Sequence, residues 1–114
     1  MKKCTYRVLQ VLGILDRGGA ETMIMNLYRA INRDQIQFDF VVHTEQQGAY
    51  DEEVIGLGGK IFHAPKYIVK NHVTYKKWWE TFFEEHPEYS VIHYHLRNTA
   101  AIVLPIAKKR ACIL

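Results

Sequence analysis

Strand-like and helix-like segments alternate four times along this chain of 114 residues, and no Asn-Gly hairpin signal separates them. Strands in this order must be joined by crossover connections, which are right-handed and make the sheet parallel. The first strand, Tyr6–Ile14, is apolar at both odd and even positions, as expected for a strand covered on both faces. The sequence therefore predicts an α/β fold: a doubly wound, Rossmann-like parallel sheet with helices on both faces.

The other predicted elements are bounded by glycines, prolines and capping residues. Further strands are predicted at Ile36–Val42, Lys60–His63 and Ser90–His95, with a fifth beginning at Ala111–Leu114. Helices are predicted from the pair Gly18-Gly19 to Ile31, from Asp51 to Leu57, from His72 to Glu85, and from Asn98 or Thr99 to Lys109. The loops at the carboxyl ends of the strands are Leu15–Gly19, His43–Gly48, Ala64–Asn71 and His95–Asn98, where a ligand would bind.

Three local patterns make these helix predictions specific. Spacings of three and four predict one buried face of the first helix, formed by Ala20, Met23 or Ile24, Leu27 and Ile31. Asp51 is predicted to cap the second helix and Gly58-Gly59 to stop it. Pro105 removes a backbone donor, so it is predicted to kink the last helix or to delay its start.

Composition and charge exclude several classes of protein. A formal net charge of +3 is too mild to indicate nucleic-acid binding. The two cysteines, Cys4 and Cys112, are far apart and form no CxxC pair, which argues against a disulfide scaffold or a zinc site. We predict that both are buried thiols of a protein in the reducing cytoplasm. No run of about 18 apolar residues could span a membrane.

The segment LGILDRGGAETMIMNLYRAI places Gly18 and Gly19 between a strand and a helix. A dinucleotide fingerprint would need GxGxxG, and a P-loop would need Lys and Ser or Thr where Gly19 and Ala20 stand, so both motifs fail. Two interpretations remain open. The pair forms a tight turn followed by Glu21 as an ordinary first-turn acid, or it lets a phosphate approach the free amides of the helix. We predict no cofactor.

Two other groups of residues have both a structural and a functional interpretation. His93 and His95 alternate along one strand and so share a face; they form a structural pair or part of a metal site, for which no third ligand is evident. No metal is predicted.

The helix His72–Glu85 combines lysines with aromatic residues. Tyr75, Trp79 and Phe82 fall on one helical face, which Trp78 and Phe83 broaden. This face packs on the sheet, or the basic and aromatic surface rests on anionic lipid.

Two longer segments carry a resemblance to a known family. RVLQVLGILDRGGAETMIMNLYRAI and FDFVVHTEQQGAYDEEVIGLGGKIF resemble the N-terminal half of a GT-B glycosyltransferase, of the retaining, bacterial polysaccharide type called glycosyltransferase family 4. The strand, the GGAE element and the helix carrying LYRAI are the most specific parts. The resemblance implies that Gly18 and Gly19 face an interdomain cleft near the donor phosphate and the acceptor, with Ala20 and Glu21 beginning the helix.

The resemblance also implies the remaining site residues and the partners. His95 would contact the transferred sugar or the acceptor, and Lys70, Lys76, Lys77 and Trp78 would form a membrane or acceptor surface at the inner face of the membrane. The enzyme would move a sugar from a nucleotide-sugar donor to a polysaccharide or lipid-linked acceptor.

Residues 1–114 would then be a single, truncated N-terminal domain, the incomplete half of a GT-B fold, without the C-terminal donor-binding domain. Such a piece is expected to be inactive alone, to bind nucleotide sugars weakly, and to self-associate through an exposed sheet edge. The alternative is a non-catalytic, flavodoxin-like module that binds a ligand or a partner.

Overall fold

The computed structural model describes residues 6–13, 18–96, 99–108 and 112–113. Five strands alternate with four helices and one 3₁₀ turn. In chain order these are β1 (Tyr6–Val11), α1 (Gly19–Ala30), β2 (Ile36–Val42), α2 (Asp51–Gly56), β3 (Ile61–His63), the 3₁₀ turn Val69–Asn71, α3 (His72–Glu85), β4 (Tyr89–Tyr94), α4 (Ala100–Lys108) and β5 (Cys112–Ile113). Parts of the predictions for Cys4, Ile14, Asn98, Lys109, Ala111 and Leu114 fall outside the described residues.

All strand pairs in the sheet are parallel, in the order β3-β2-β1-β4-β5. Leu9 of β1 pairs with Asp39 on one side and with Ile92 on the other. The strand order reverses between β1 and β4, which is where doubly wound sheets open a crevice at their carboxyl ends. The predicted α/β class and parallel topology are confirmed.

Apolar cores lie on both faces of the sheet, because the strands alternate large side chains between the two sides. One core joins Leu9, Val11 and Ile92 to the aromatic residues of α3 and to α4. The other joins Phe38, Phe40 and Val42 to α1 and α2. Both faces are therefore covered, as the apolar strands indicated. Within the described ranges, no helix combines the length and the apolar character needed to cross a bilayer.

The buried face of α1 differs from the prediction. Ile24, Met25 and Tyr28 are buried, whereas Leu27 is 52% exposed and Met23 60% exposed. Tyr28 turns toward the sheet, stacks on Phe38 at 5.3 Å between ring centroids, and contacts Phe40 edge to face. The large aromatic side chain takes the inner position, so the apolar face is rotated; Ala20 is exposed as well, and the predictions for Ala20 and Leu27 are wrong.

The start of α2 also differs. Tyr50, not Asp51, occupies the N-cap position and makes no side-chain capping hydrogen bond, and Asp51 is the buried first residue of the helix. The Tyr50 hydroxyl instead lies 2.9 Å from Thr22 Oγ1 on α1, which fixes the entry to the helix. The predicted stop is confirmed, because Gly58 has a φ of 95°, a conformation that favours glycine.

The last helix begins where the sequence indicated. The carbonyl of Thr99 accepts hydrogen bonds from the backbone N–H groups of Ile102 and Val103, and α4 starts at Ala100. Pro105 lies inside this helix without delaying its start. The predicted fifth strand is confirmed as β5, which pairs with β4.

Candidate functional site

The carboxyl end of the sheet brings the ends of β1, β2 and β4 together by backbone hydrogen bonds beyond the strands themselves. The N–H of His43 donates to the carbonyl of Gly13 at 2.9 Å, and the N–H of His95 donates to that of Val11 at 3.0 Å. These hydrogen bonds fix the backbone at the points where the predicted ligand-binding loops leave the sheet. Loops on a rigid scaffold of this kind are the usual position of binding residues.

The glycine pair begins α1 at this edge. Gly18 is the N-cap, with φ −80° and ψ 171°, and its carbonyl accepts a hydrogen bond from the N–H of Thr22 at 2.9 Å. Gly58 is the only described glycine with a positive φ, so neither Gly18 nor Gly19 needs glycine for its backbone conformation. A Cβ built on Gly19 would meet nothing within 4 Å. The tight-turn interpretation thus gains no support from the backbone conformation of the pair or from the space around Gly19.

Glu21 folds back over the glycine pair. Its carboxylate oxygen lies 2.7 Å from the position that a Cβ on Gly18 would take. A negative charge at this end of a helix is stabilising, because the first amides carry partial positive charge. An anionic ligand that approached these amides would therefore have to displace the Glu21 side chain or share the site with it.

His95 is held by a buried amide. Its Nε2 lies 2.9 Å from Oε1 of Gln10, a residue only 2% exposed, and because an amide oxygen only accepts, Nε2 carries the proton. Burial, and then the nearby charge of His93, lower the pKa of His95 to about 4. His95 is therefore neutral near neutral pH, and its Nδ1 is left as a hydrogen-bond acceptor.

His93 and His95 share a face, as the alternation predicted, with their ring centroids 4.0 Å apart. Burial also lowers the pKa of His93. Among the described residues, no group of three or more His, Cys, Asp or Glu side chains could hold a metal ion. The pair suits hydrogen bonding by neutral imidazoles rather than charge stabilisation.

A cavity of about 320 Å³ opens at the same end of the sheet. It is lined from four strand ends, by Gly13, His43, Thr44, Gln46, Lys66, Tyr67 and Leu96. The sequence marked three of the loops that supply these residues, but no lining residue was predicted as part of the site. The signal for them was only their position, after a predicted strand or, for Gly13, at the end of one.

A buried chain of polar groups supports the cavity wall. The Nδ1–H of His43 donates to the carbonyl of Leu12 at 3.0 Å, and the hydroxyl of Tyr75 on α3 donates to His43 Nε2 at 2.7 Å. Tyr94 bonds to Tyr75 and to Thr99, and burial raises its pKa. Burial also lowers the pKa of His43, against the opposing effect of the Leu12 carbonyl. These neutral groups tie β1, β2, β4, α3 and the start of α4 together.

The predicted basic and aromatic surface lies on the segment after β3. Lys70 on the 3₁₀ turn and Lys76 and Lys77 on α3 are exposed. Trp78 is half-buried and stacks on Phe82 at 5.2 Å between centroids. It also lines a second cavity, of about 460 Å³, together with Phe62.

The inner face of α3 is the predicted aromatic one. Tyr75, Trp79, Phe82 and Phe83 are buried against the sheet, which confirms the packing role of these side chains.

This chain is similar to a curated bacterial protein. A protein of Bacillus subtilis (strain 168) named "Putative glycosyltransferase EpsF" is 40% identical to this chain over 95 residues. The match covers 83% of this chain and 25% of that protein, so the chain spans about a quarter of the length of the curated relative it matches. No protein-family model matches the chain, and no solved structure matches it. The name of this relative agrees with the resemblance of the GGAE segment to glycosyltransferases.

Proposed function

We propose that this chain is the acceptor-side domain of a retaining GT-B glycosyltransferase of family 4, which moves a sugar from a nucleotide-sugar donor to a polysaccharide or lipid-linked acceptor. The observation that carries the proposal is the exposed Gly19 of the glycine pair. Gly19 is exposed, a Cβ there would meet nothing within 4 Å, and the pair begins a helix at the carboxyl end of a parallel sheet. Since the fold itself leaves this place free, we assign it to a ligand.

The amides at the start of α1 would act on the leaving phosphate. Negative charge grows on the donor phosphate as the sugar departs, and fixed N–H donors with the helix dipole stabilise that charge. Gly18 and Gly19 supply the approach without side chains, and Ala20 and Glu21 continue the helix. In this role the Glu21 carboxylate moves aside when the phosphate arrives.

His95 would hold a hydroxyl of the sugar or of the acceptor. The Gln10 amide fixes its tautomer, and its low pKa keeps it neutral, so Nδ1 can accept a hydrogen bond from a hydroxyl. Such a contact orients the reacting group without general-base chemistry. His95 is therefore a substrate-contacting residue in this proposal.

The cavity of about 320 Å³ has the size and lining for part of an acceptor. Its volume falls at the lower end of the roughly 300–1,000 Å³ of small-molecule sites. Thr44, Gln46 and Lys66 offer polar groups for hydroxyls or an anionic substituent, and Tyr67 offers an apolar ring. This combination is suited to a carbohydrate, which presents both polar edges and apolar faces.

The test is a transfer assay on the polypeptide that carries this chain, with pooled nucleotide sugars and glycan or lipid-linked acceptors. Transfer with retained anomeric configuration is expected. A Gly19→Val variant should lower kcat/KM at least about tenfold, because it obstructs the approach to the amides. Gly56→Ala is the matched control, since a Cβ there would also meet nothing within 4 Å and the residue lies at the end of α2.

Two results would contradict the proposal: no sugar transferred from any donor in the pool, or equal activity of the Gly19→Val and Gly56→Ala variants. Titration of the chain itself with nucleoside diphosphate sugars should give weak or no binding, because the donor site is proposed to lie mainly on a second domain. Tight binding without turnover would instead favour the flavodoxin-like binding module.

Self-association through the sheet edge is a further part of the proposal. The short strands β3 and β5 form the two edges of the sheet, and an uncovered edge can pair with another copy. Light scattering over a wide concentration range should detect dimers. A monomer at every concentration would contradict this part alone.

A further inference from the structure

The cavity of about 320 Å³ at the carboxyl end of the sheet has a positively charged rim. Among the described residues that line it, Lys66 is the only one with a charged side chain at neutral pH. Glu45 does not line the cavity, although its chain neighbours Thr44 and Gln46 do. Lys66 is exposed and forms no ion pair with any described residue, so its ammonium group is available to a ligand in the cavity.

His43, which also lines the cavity, adds no charge to it. Its Nδ1–H donates to the carbonyl of Leu12, and its Nε2 accepts from the hydroxyl of Tyr75, so both ring nitrogens are engaged. Burial lowers the pKa of His43, which keeps the imidazole neutral near neutral pH. Lys66 is therefore the group of the described lining that can attract an anion.

The loop after β2 supplies hydrogen-bond donors on the polar side of the cavity. Thr44 Oγ1 accepts from the N–H of Gln46 at 3.1 Å, and the carbonyl of Thr44 accepts from the Nδ1–H of His63 at 2.7 Å. These bonds hold the loop and leave the hydroxyl hydrogen of Thr44 to donate to a ligand. The exposed side chain of Gln46 has an amide group with two further N–H donors.

The ring of Tyr67 forms an apolar wall with a fixed orientation. It meets the ring of Tyr75 edge to face at 5.1 Å between centroids, and its hydroxyl lies 3.1 Å from Nδ1 of His72. The carbonyl of the preceding Lys66 accepts from Nδ2–H of Asn71 at 2.9 Å, which holds the backbone at this rim. An immobile aromatic ring beside a few polar groups is typical of a small-ligand site, and a sugar ring presents a matching apolar face.

The number of cationic groups distinguishes between the two anionic substituents that sugars commonly carry. A phosphate monoester has a charge of about −1.5 to −2 at neutral pH and is usually held by several charged or forked donors. The described lining has one lysine and no arginine. A carboxylate carries a single negative charge, which one ammonium group can balance, so the lining fits a carboxylate better.

We propose that the cavity binds a sugar residue with a carboxylate, that is, a uronic acid, with the carboxylate beside Lys66 and the sugar ring against Tyr67. This inference names the acceptor class of the transferase, so it rests on the proposed function. Lys66 is then a specificity-determining residue, which favours an acidic saccharide over a neutral one.

The test is an NMR titration of the isotope-labelled chain with methyl glucuronide and methyl glucoside, which differ only in a carboxylate in place of a hydroxymethyl group. The galacturonide and galactoside form a second such pair. The amide signals of Gly13, Thr44 and Gln46 report whether a ligand occupies the cavity. In at least one pair, the acidic sugar should bind about fivefold more tightly than the neutral one, and added salt should reduce this preference.

The variant Lys66→Met should abolish the preference for the acidic sugar, because methionine retains an unbranched side chain without the charge. Lys70→Met is the matched control. Lys70 is exposed and lies in the same connection between β3 and α3, but it does not line the cavity. This control should retain the preference, and equal unfolding midpoints would verify that both variants fold.

The proposal is overturned if the acidic and neutral sugars of both pairs bind equally, if none of them binds in the cavity, or if the two lysine variants lose the preference equally. Tighter binding of the phosphate monoester of methyl glucoside than of the glucuronide would make the cavity a phosphate site and would also overturn it.

The titration requires no donor and no turnover, so the two proposals can fail separately. Binding of the uronic acid together with a failed transfer assay would contradict the proposed function alone. Sugar transfer to neutral acceptors, at the same rate in the Lys66→Met variant as in the unchanged enzyme and without binding of uronic acids, would contradict this inference alone.

Discussion

At the amino end of the sheet, Gly58 and Gly59 lead into β3 and are required by their surroundings, whereas Gly19 at the carboxyl end is not. Gly58 has a φ of 95°, and a Cβ on Gly59 would lie 2.8 Å from both Tyr28 Oη and Val54 Cγ1. At Gly19 a Cβ would meet nothing within 4 Å. Gly58 therefore serves the backbone conformation and Gly59 the packing, whereas Gly19 leaves space at the surface.

The polar groups at the two ends of the sheet differ in charge. In the amino half, the fully buried Asp39 accepts two-pronged hydrogen bonds from Arg7, one from the Tyr89 hydroxyl at 2.6 Å and one from the N–H of Lys60 at 2.9 Å. At the carboxyl end, His93 and His95 lie side by side as neutral groups. The comparison indicates that the Asp39 cluster stabilises the amino half through charged groups, whereas the carboxyl end, which the chain of His43, Tyr75 and Tyr94 also holds together, presents neutral groups.

The largest effect is expected from Asp39→Ala. The substitution leaves the Arg7 guanidinium and the Tyr89 hydroxyl without their buried acceptor, so the free energy of unfolding should fall by about 3–5 kcal/mol. Urea denaturation measures this loss. Asp39→Asn, which keeps the shape and one acceptor, should lose less. If Asp39→Ala lowers the free energy of unfolding by less than about 1 kcal/mol, the stabilising role assigned to the Asp39 cluster is contradicted.

Gly59→Ala should have the next largest effect. Its methyl group would press on Tyr28, on Val54 and on the carbonyl oxygen of Phe38, which is 2.9 Å away and belongs to the backbone. Overpacking of this kind costs about 1–3 kcal/mol of unfolding free energy. Gly56→Ala, in open space, is the control in the same urea experiment. Equal stability of the two variants would contradict the packing role of Gly59.

The pH dependence of stability should report on the histidines of the carboxyl end. The pKa of His95 is lowered to about 4 in the folded chain, so unfolding takes up a proton at this residue once the pH falls below the ordinary histidine value. Stability should therefore be constant above about pH 7 and should decrease as the pH falls from about 6.5 through about 4. His93 and His43 act in the same direction, because burial lowers the pKa of each.

The variant His95→Gln tests how much His95 contributes to the pH dependence of stability. Glutamine does not titrate and can still donate to the Gln10 amide oxygen. The difference in urea midpoint between about pH 7 and about pH 5 should be smaller in this variant than in the unchanged chain. An equal difference in both proteins would show that His95 does not carry the predicted pH dependence.

The smallest effect on stability is expected from Gly19→Ala. Alanine restricts the unfolded chain and favours a helix, and its methyl group meets open space, so unfolding free energy should change by less than about 1 kcal/mol, in the stabilising direction. The same urea series measures it. A destabilisation comparable with that of Gly59→Ala would show that Gly19 is as tightly constrained as Gly59, which would contradict the contrast between the two ends of the sheet.

The sequence predicted the parallel sheet because its evidence is local. The first strand has apolar residues at both odd and even positions, and the helix signals between strands leave crossovers as the simplest connections. The buried face of α1 was predicted less well, because spacing alone does not decide between Leu27 and Tyr28. That choice depends on Phe38 and Phe40, which lie on another element and offer Tyr28 an aromatic surface.

The candidate site could be predicted only in part for a similar reason. Gly18 and Gly19 stand in a recognisable segment, and His93 and His95 share a face by alternation. The cavity depends on how four separate strand ends converge, and no local pattern describes that. His43 is the example: its bonds to Leu12 and Tyr75 join residues 31 and 32 positions away.

The position of Glu21 has a consequence for selectivity. Its side chain lies at the N-terminus of α1, so a small inorganic anion is repelled by the carboxylate and gains little by displacing it. Only a larger molecule, which gains additional contacts elsewhere along the same rim, can offset that repulsion. We therefore expect the Glu21 carboxylate to weaken the binding of free phosphate and sulfate, while a larger ligand with several contacts can still bind.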